Sequence, residues 1–168
     1  MNEEFQSFRG RRGSGFGRRG FLNNLNQIQG TEEDDNLTGT PENDGIFGDT
    51  GNDILTGDAG NDFINGGDGN DILTGGLGVD RLRGGDGQDT FVFNTSSEVD
   101  WVSDFIVGED ILQLSADFGV TAEQAVSQVS TIALPFMDNR FLSILNLGDD
   151  TLVIKHEGDL TSDSFQIL

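Results

Sequence analysis

Seven aspartates recur at intervals of nine residues in the middle of this chain, and their side chains are the ones best suited to chemistry. They are Asp35, Asp44, Asp53, Asp62, Asp71, Asp80 and Asp89. Carboxylates and the carbonyls of turns are hard oxygen ligands, which suit Ca²⁺ with its roughly six to eight ligands. Zn²⁺ is a poor match, because the chain has no Cys and a single His, His156. The spacing therefore predicts a calcium site that is repeated along the chain.

Each aspartate is the sixth residue of a nine-residue unit, and the seven units follow one another without a gap. The first position is always Gly, from Gly30 to Gly84, and the eighth is always apolar, from Leu37 to Phe91. A fixed period predicts a repeat architecture. The first six residues of a unit are rich in Gly, Asp and Asn, which favour turns, and the last three suit a short strand.

Two units return the chain to its starting side, so stacked coils form two parallel sheets with the eighth-position side chains between them. Seven units give about three and a half coils, or a roll about 15 Å long. Such a core is thin, because ordering a Gly-rich backbone costs about 1–2 kcal/mol per residue. The stacked carboxylates also repel one another. We therefore expect folding to require a bound cation.

Residues 30–92 resemble the G-G-x-G-x-D-x-U-x nonapeptides of the RTX (repeats-in-toxin), or hemolysin-type, calcium-binding family. The units that begin at Gly66 and Gly84 match this pattern throughout. The resemblance implies an all-β fold, a right-handed parallel β-roll (β-solenoid), with Ca²⁺ held between same-side turns of adjacent coils. It implies up to about five sandwiched ions, with Asp35, Asp53, Asp71 and Asp89 on one side and Asp44, Asp62 and Asp80 on the other.

The resemblance also implies that turn residues complete the coordination of each ion. These ligands would be Gly48, Gly51, Gly57, Gly60, Gly66, Gly69, Gly75, Gly78, Asn52, Asn61 and Asn70. The first two units depart from the pattern, because Glu33 and Glu42 replace Gly at position four. A β-carbon there disfavours the turn geometry. We therefore expect weaker ion binding at Asp35 and Asp44.

Charge is distributed unevenly over the 168 residues, whose formal net charge is −21. Residues 1–29 carry five Arg and two Glu, a net +3, so the remainder carries −24. The acidic body makes nucleic acid an improbable partner and suits a cation binder. The absence of Cys leaves Ca²⁺ to provide cross-links in a secreted protein. No apolar run approaches the length of a membrane span.

We divide the chain into a flexible Arg/Gly-rich arm at residues 1–29, the roll at residues 30–92, and a C-terminal cap at residues 93–168. The composition of the arm is typical of disorder. An RGG-type RNA-binding segment is a less favoured alternative, since five arginines are few and the body repels phosphate. The apolar residues of the arm would cover the open first coil; they are Phe21, Leu22, Leu25 and Ile28.

The cap begins with a stretch that resembles the D-x-I-x-D-F segment after RTX rolls. Its apolar side chains would close the end of the roll: Trp101, Val102, Phe105, Ile111, Leu112 and Leu114. Asp100, Asp104 and Asp110 are expected at the surface, where a further ion is a less favoured alternative. Thr121 begins a capping box before one short helix, and residues 141–147 and 151–155 predict a hairpin. Residues 160–168 resemble a C-terminal signal for type I secretion, although a last core strand would have the same pattern.

No catalytic constellation is visible, so we do not expect an enzyme. His156 is predicted at the surface without a nucleophile beside it. The favoured function is a secreted, extracellular or cell-surface calcium-binding module with a structural or adhesive role, exported by type I secretion machinery. Two alternatives remain. One is a calcium-dependent subunit of an extracellular filament or surface layer, formed by self-association. The other is a small enzyme that uses the roll as a scaffold.

Overall fold

The strands lie in two sheets, as shown by a computed structural model that describes residues 25–95, 98–133 and 140–168. The predicted arm lies outside the described residues up to residue 24. The strands are β1 (Asn26–Gln29), β2 (Asn36–Thr38), β3 (Asp44–Thr50), β4 (Ile54–Ala59), β5 (Phe63–Asp68), β6 (Ile72–Leu77), β7 (Arg81–Asp86), β8 (Thr90–Phe93), β9 (Val99–Ile106), β10 (Ile111–Leu114), β11 (Val129–Ala133), β12 (Arg140–Leu147), β13 (Asp150–Glu157) and β14 (Phe165–Ile167).

Successive strands of the repeat alternate between the two sheets, which gives a parallel β-roll. Sheet A has the order β1-β3-β5-β7-β9-β13-β12-β11, and sheet B has the order β14-β10-β8-β6-β4-β2. Within the repeat, neighbouring strands are parallel and pair residues eighteen apart, such as Leu37 with Leu55 and Ile46 with Ile64. This confirms the predicted β-roll and its coil of two units.

The eighth-position side chains form a continuous core between the sheets. Six of them are at most 1 % exposed: Ile46, Leu55, Ile64, Leu73, Leu82 and Phe91. Leu37, in the first unit, packs against this core but is only partly buried. Because each coil contributes two such side chains, the core is as thin as the sequence predicts.

The roll begins before the first nonapeptide. Asn26–Gln29, which we assigned to the arm, form β1 and pair with β3 through Ile28 and Ile46. Ile28 packs against the core, and Leu25 lies beside Gly45. Ile28 covers the first coil as expected, Leu25 contacts only the neighbouring position Gly45, and Phe21 and Leu22 lie outside the described residues.

The roll also continues past the last nonapeptide. β9 and β10 were expected to belong to a cap, but they extend sheets A and B by one more strand each. The residue spacing changes from eighteen to twenty where Arg81 pairs with Trp101, and to twenty-one where Thr90 pairs with Ile111. Val102, Phe105, Leu112 and Leu114 are buried as predicted, but Trp101 faces outward and is 43 % exposed.

The C-terminal residues extend both sheets beyond the coils. β13 is parallel to β9, the predicted hairpin pairs β12 with β13, and β11 forms the edge of sheet A. The single α-helix of the described residues, α1 (Ala122–Gln128), begins with the predicted capping box of Thr121 and Gln124. β14 pairs with β10, so part of the predicted secretion signal is a folded strand. None of the helices that the structure describes is long and apolar enough to cross a membrane.

Candidate calcium site

The sixth-position aspartates stack along the two turn edges of the roll, joined by hydrogen bonds between coils. One carboxylate oxygen, Oδ1, accepts the backbone N–H of the aspartate one coil earlier. The N–H of Asp53 donates to Asp71 over 2.8 Å, and that of Asp62 donates to Asp80 over 2.8 Å. The same contact joins Asp35 to Asp53, Asp44 to Asp62, and Asp71 to Asp89. The two rows therefore have the order that the sequence predicts.

The second carboxylate oxygen, Oδ2, is buried without a hydrogen-bond partner in four of these residues: Asp53, Asp62, Asp71 and Asp80. These side chains are at most 1 % exposed. A buried charge without a partner is strongly unfavourable. The four oxygens therefore require protonation or a counter-ion.

Backbone carbonyls converge on the same positions as these oxygens. A Cβ on Gly57 would collide with Asp62 Oδ2 and with the carbonyl oxygen of Gly75 in the next coil. The turns at Gly48 and Gly66 repeat this arrangement with the carbonyls of Gly66 and Gly84. Two oxygens facing one point, with no donor between them, form a cradle suited to a cation.

The donor set fits Ca²⁺. Among the described residues, no three Asp, Glu or His side chains gather closely enough to hold a metal. A cation between two coils would therefore take carboxylate oxygens from stacked aspartates and its remaining protein ligands from turn carbonyls. Ca²⁺ accepts such mixed oxygen shells with irregular geometry.

The electrostatics of the rows also indicate a missing positive charge. Burial, together with the negative charges of Asp80 and Asp44, raises the pKa of Asp62 to about 7. Burial also raises the pKa of Asp89 to about 7 and that of Asp80 to about 6. Burial raises the pKa of Asp53 and Asp71 as well. These raised pKa values show that the negative charges of the central aspartates lack a compensating positive charge.

The turn shape depends on glycine at position four. Gly69 has φ +140°, a conformation that L side chains rarely adopt, and a Cβ there would collide with the carbonyl of Gly51. At position two, Asp49 and Asp58 adopt positive φ values of 86° and 80°. Asp tolerates this region better than most residues. The third and fourth units can therefore keep the turn without Gly at position two.

In the first two turns, protein donors bond the second carboxylate oxygen of the aspartate. Asp35 Oδ2 accepts the backbone N–H of Thr31 over 2.6 Å and its hydroxyl over 2.9 Å. Asp44 Oδ2 accepts the same two groups of Thr40, over 2.6 and 3.0 Å. These contacts supply the partners that the central aspartates lack. They give a physical reason for the weaker binding expected at Asp35 and Asp44.

The side chains of the asparagine column are used between coils. Asn52 Oδ1 accepts the backbone N–H of Asn70 over 2.9 Å, and Asn70 Oδ1 accepts that of Gln88 over 2.8 Å. Asn61 Oδ1 accepts the N–H of Val79 over 3.0 Å. These predicted ligands would therefore coordinate a cation through their backbone carbonyls.

Two aspartates beyond the nonapeptides continue the rows, and the prediction that they lie at the surface is wrong. Asp100 and Asp110 are 2 % and 4 % exposed. Asp100 accepts the N–H of Asp80, and Asp110 that of Asp89, each over 3.0 Å. The nine-residue period did not identify these two aspartates, because the residue spacing changes here. A usable signal was present, because each Asp lies two residues before a buried apolar side chain, as in the repeat: Asp100 before Val102 and Asp110 before Leu112. Asp104, half-buried, accepts the Nε–H of Arg83 over 3.2 Å.

His156 is also misplaced by the sequence prediction. It is 3 % exposed, and its Nε2 lies 2.7 Å from the hydroxyl oxygen of Ser143, which in turn lies 2.8 Å from that of Thr131. Burial lowers the pKa of His156. The alternation of β13 turns His156 to the same side as the buried Ile154, a placement that depends on the neighbouring strands β9 and β12.

A parallel β-roll with carboxylates and carbonyls stacked along its turns is the architecture of a calcium-binding repeat protein. Residues 29–64 and 56–91 match the family described as the RTX calcium-binding nonapeptide repeat (four copies). This part of the chain therefore matches the RTX calcium-binding repeats, which bind calcium. No curated protein sequence matches the chain significantly.

Several solved structures resemble the chain. The AlgE6R2 and AlgE6R3 subunits of the mannuronan C5-epimerase from Azotobacter vinelandii are each 26 % identical, with TM-scores of 0.42 and 0.33. The alignments cover 84 % and 82 % of this chain, and 92 % and 80 % of those subunits. The extracellular lipase LipA from Serratia marcescens is 12 % identical, with a TM-score of 0.40, over 86 % of this chain and 40 % of the lipase. Since all three TM-scores are below 0.5, calcium binding rests on the family match and the turn geometry.

Proposed function

We propose that the chain is a secreted calcium-binding module whose roll folds when Ca²⁺ binds between stacked turns, and that it has a structural or adhesive role outside the cell. The observation that carries this proposal is the burial of four carboxylate oxygens without partners, at Asp53, Asp62, Asp71 and Asp80. A thin core cannot compensate for four such charges. A divalent cation between coils compensates for them and links the coils at the same time.

The ions bind in the central part of the roll. The turns at Gly48, Gly57 and Gly66 each combine an unpartnered carboxylate oxygen with a carbonyl from the next coil. The turns of Thr31 and Thr40 contribute less, since protein donors already occupy their Oδ2 atoms. Of the five sandwiched positions, these three therefore bind Ca²⁺ most tightly.

Calcium concentration decides where the roll folds. Extracellular modules of this kind bind Ca²⁺ at about 10⁻⁴–10⁻³ M. Cytosolic calcium lies far below this range, so the chain stays unfolded during export and folds outside. This behaviour suits passage through a type I secretion channel.

The Ser143–His156 pair has a structural role in this proposal. The Ser143 side chain is fully buried, so its hydroxyl cannot meet a substrate in the folded protein. The pair joins β12 to β13, and Thr131 extends it to β11. We therefore assign the pair to the cohesion of sheet A and leave catalysis out of the proposed function.

Far-ultraviolet circular dichroism tests the proposal. The chain should lack β structure in EGTA and gain it on titration with millimolar Ca²⁺, while equal Mg²⁺ should fold it poorly because Mg²⁺ demands a near-ideal octahedral shell. Native mass spectrometry should count at least three bound ions. A full β spectrum in EGTA would contradict calcium-coupled folding.

A further inference from the structure

A groove crosses the outer face of sheet A, beside one turn edge of the roll. It has a volume of about 340 Å³ and extends over β1, β3, β5 and β7. Four direct partners in the strand register form its floor: Gln29, Phe47, Asn65 and Arg83. Exposed aspartates of the turns form one wall: Asp49, Asp68 and Asp86. Because the groove crosses three strand spacings, it is about 14 Å long.

The described chain begins next to this groove. Leu25 lies over Gly45, since its Cδ1 atom is 3.5 Å from the position that a Cβ on Gly45 would occupy, and the Phe47 ring is 3.4 Å from the same position. Gly45 is buried, although it is the register partner of the partly exposed Phe63. The Phe63 ring contacts that of Phe47, with 5.7 Å between centroids. Leu25, Phe47 and Phe63 therefore form an apolar patch at the entrance of the groove.

The groove is also negatively charged. The carboxylates of its wall have no hydrogen-bond or ion-pair partner in the part of the chain that the structure describes. Arg83, at the far end of the floor, is paired with Asp104 over 3.2 Å, so its charge is already compensated. An apolar patch beside three uncompensated carboxylates favours a ligand that carries both apolar and cationic side chains.

We propose that a segment of this same chain, residues 16–24, occupies the groove as a strap across sheet A. Its sequence is FGRRGFLNN, which combines aromatic, aliphatic and cationic side chains and has no acidic residue. Phe21 and Leu22 pack against the apolar patch. Arg18 and Arg19 pair with the aspartates of the wall in charge-assisted hydrogen bonds.

The reach and the charge of the strap suit the groove. Arg19 lies six residues before Leu25, and six extended residues span at most about 20 Å, which exceeds the length of the groove. Residues 1–29 carry five Arg and two Glu, a net +3, beside a remainder of −24. A short tether gives an effective concentration in about the millimolar range, so weak contacts are sufficient. A second copy of the chain would have to compete with this tethered segment.

Calcium controls the strap, because the groove exists only in the folded roll. Gly67 and Gly85, which line the groove, belong to the turns that hold the ions, so the inference rests on the proposed calcium-coupled folding. When the ions fold the roll, the strap covers the apolar patch and withdraws its two arginines from solvent. Calcium should therefore protect this segment as well as the roll.

A disulfide trap tests the position of the strap, since the chain has no Cys of its own. The test variant Gly20→Cys/Asn65→Cys places one thiol in the strap and one on the floor of the groove. The matched control Gly20→Cys/Thr74→Cys places the second thiol at the ninth position of a unit on sheet B. In saturating Ca²⁺ and dilute protein, the test variant should cross-link within one chain at least roughly tenfold faster than the control. Added salt should slow this reaction.

Limited digestion with trypsin tests the charges. The groove variant Asp68→Asn/Asp86→Asn removes two carboxylates from the wall and leaves the backbone carbonyls of the turns in place. The control Asp58→Asn/Asp117→Asn removes the same charge from exposed positions outside the groove. In saturating Ca²⁺, cleavage after the two strap arginines should be roughly three- to tenfold faster in the groove variant than in the parent. The control should keep the parent rate.

Three results would each overturn the proposal: equal cross-linking in the test variant and its control, disulfide-linked dimers in place of cross-linked monomers, or equal cleavage of the groove variant and its control. Dimers would assign the groove to a second copy of the chain. Should Asn65→Cys prevent folding, the trypsin comparison decides alone. Circular dichroism verifies that every variant folds with calcium as the parent does, so failure of the strap is distinguishable from failure of calcium-coupled folding.

Discussion

Replacing Asp71 by Asn removes one negative charge from the middle of a row while keeping its shape. The remaining side-chain oxygen can still accept the N–H of Asp53, as Asp71 Oδ1 does over 2.8 Å. The lost oxygen is Oδ2, which is buried without a partner. Asp71 stacks between Asp53 and Asp89, so it belongs to two sandwiched positions. We expect Asp71→Asn to weaken two ions at once.

The size of the effect follows from mass action. At about 10 mM Ca²⁺ and a dissociation constant of about 10⁻⁴–10⁻³ M, each ion stabilises the folded state by about 1.4–2.7 kcal/mol. Loss of two ions therefore costs about 3–5 kcal/mol, a large part of the roughly 5–15 kcal/mol that stabilises a typical domain. Asp35→Asn is the matched control, because Thr31 already occupies Asp35 Oδ2. It should cost only about 1–2 kcal/mol, because at most the two hydrogen bonds from Thr31 are lost.

Calcium titrations followed by circular dichroism measure both variants. The folding midpoint of Asp71→Asn should move to roughly tenfold higher Ca²⁺ or beyond, and that of Asp35→Asn should move little. In EGTA, Asp71→Asn should be no less structured than the parent, because a neutral amide needs no counter-charge. Equal midpoints for the two variants would refute the inference that unpartnered Oδ2 atoms mark the ion sites.

Three further predictions concern protonation, turn chemistry and the buried histidine. Burial raises the pKa of Asp62 and Asp89 to about 7 and that of Asp100 to about 8. Because the folded state without metal favours the protonated carboxyls, any residual β structure in EGTA should be most stable near pH 4. It should weaken as the pH rises through 7–8. Thermal melts in EGTA at pH 5 and 8 measure this, and a higher melting temperature at pH 8 would contradict it. The exchange Thr40→Gly/Glu42→Gly should remove the Thr40 hydroxyl from Asp44 Oδ2 and restore glycine at positions two and four of this turn, and should so add about one ion by native mass spectrometry, whereas an unchanged ion count would oppose the role given to these two residues. Ser143→Ala should leave His156 Nε2 without its partner and cost about 1–3 kcal/mol in denaturant unfolding at saturating Ca²⁺, while Ser127→Ala on the exposed side of α1 serves as control.

The sequence alone determined the repeat, the core and the metal. A strict nine-residue period must bury the apolar side chain at its eighth position. Stacked coils of two units each are the arrangement that buries it. The same period places the aspartates in two rows, because a coil of eighteen residues brings every second unit to the same edge. Because the available ligands are hard oxygens and the chain has no Cys, the favoured metal is Ca²⁺. These inferences need only local periodicity, which the sequence displays directly.

Tertiary structure decided what lies outside the period or depends on contacts across coils. Asp100 and Asp110 join the rows only because the chain bulges by two or three residues before rejoining the register, which no fixed spacing predicts. Thr31 and Thr40 donate hydrogen bonds to Asp35 and Asp44 because their turns fold back on these side chains, a matter of backbone geometry. His156 is buried because β13 inserts between β9 and β12, a long-range pairing that is invisible in the local pattern. The burial of a residue and its hydrogen-bond partners depend on neighbours that are distant in sequence. Only the folded arrangement of the strands reveals these neighbours.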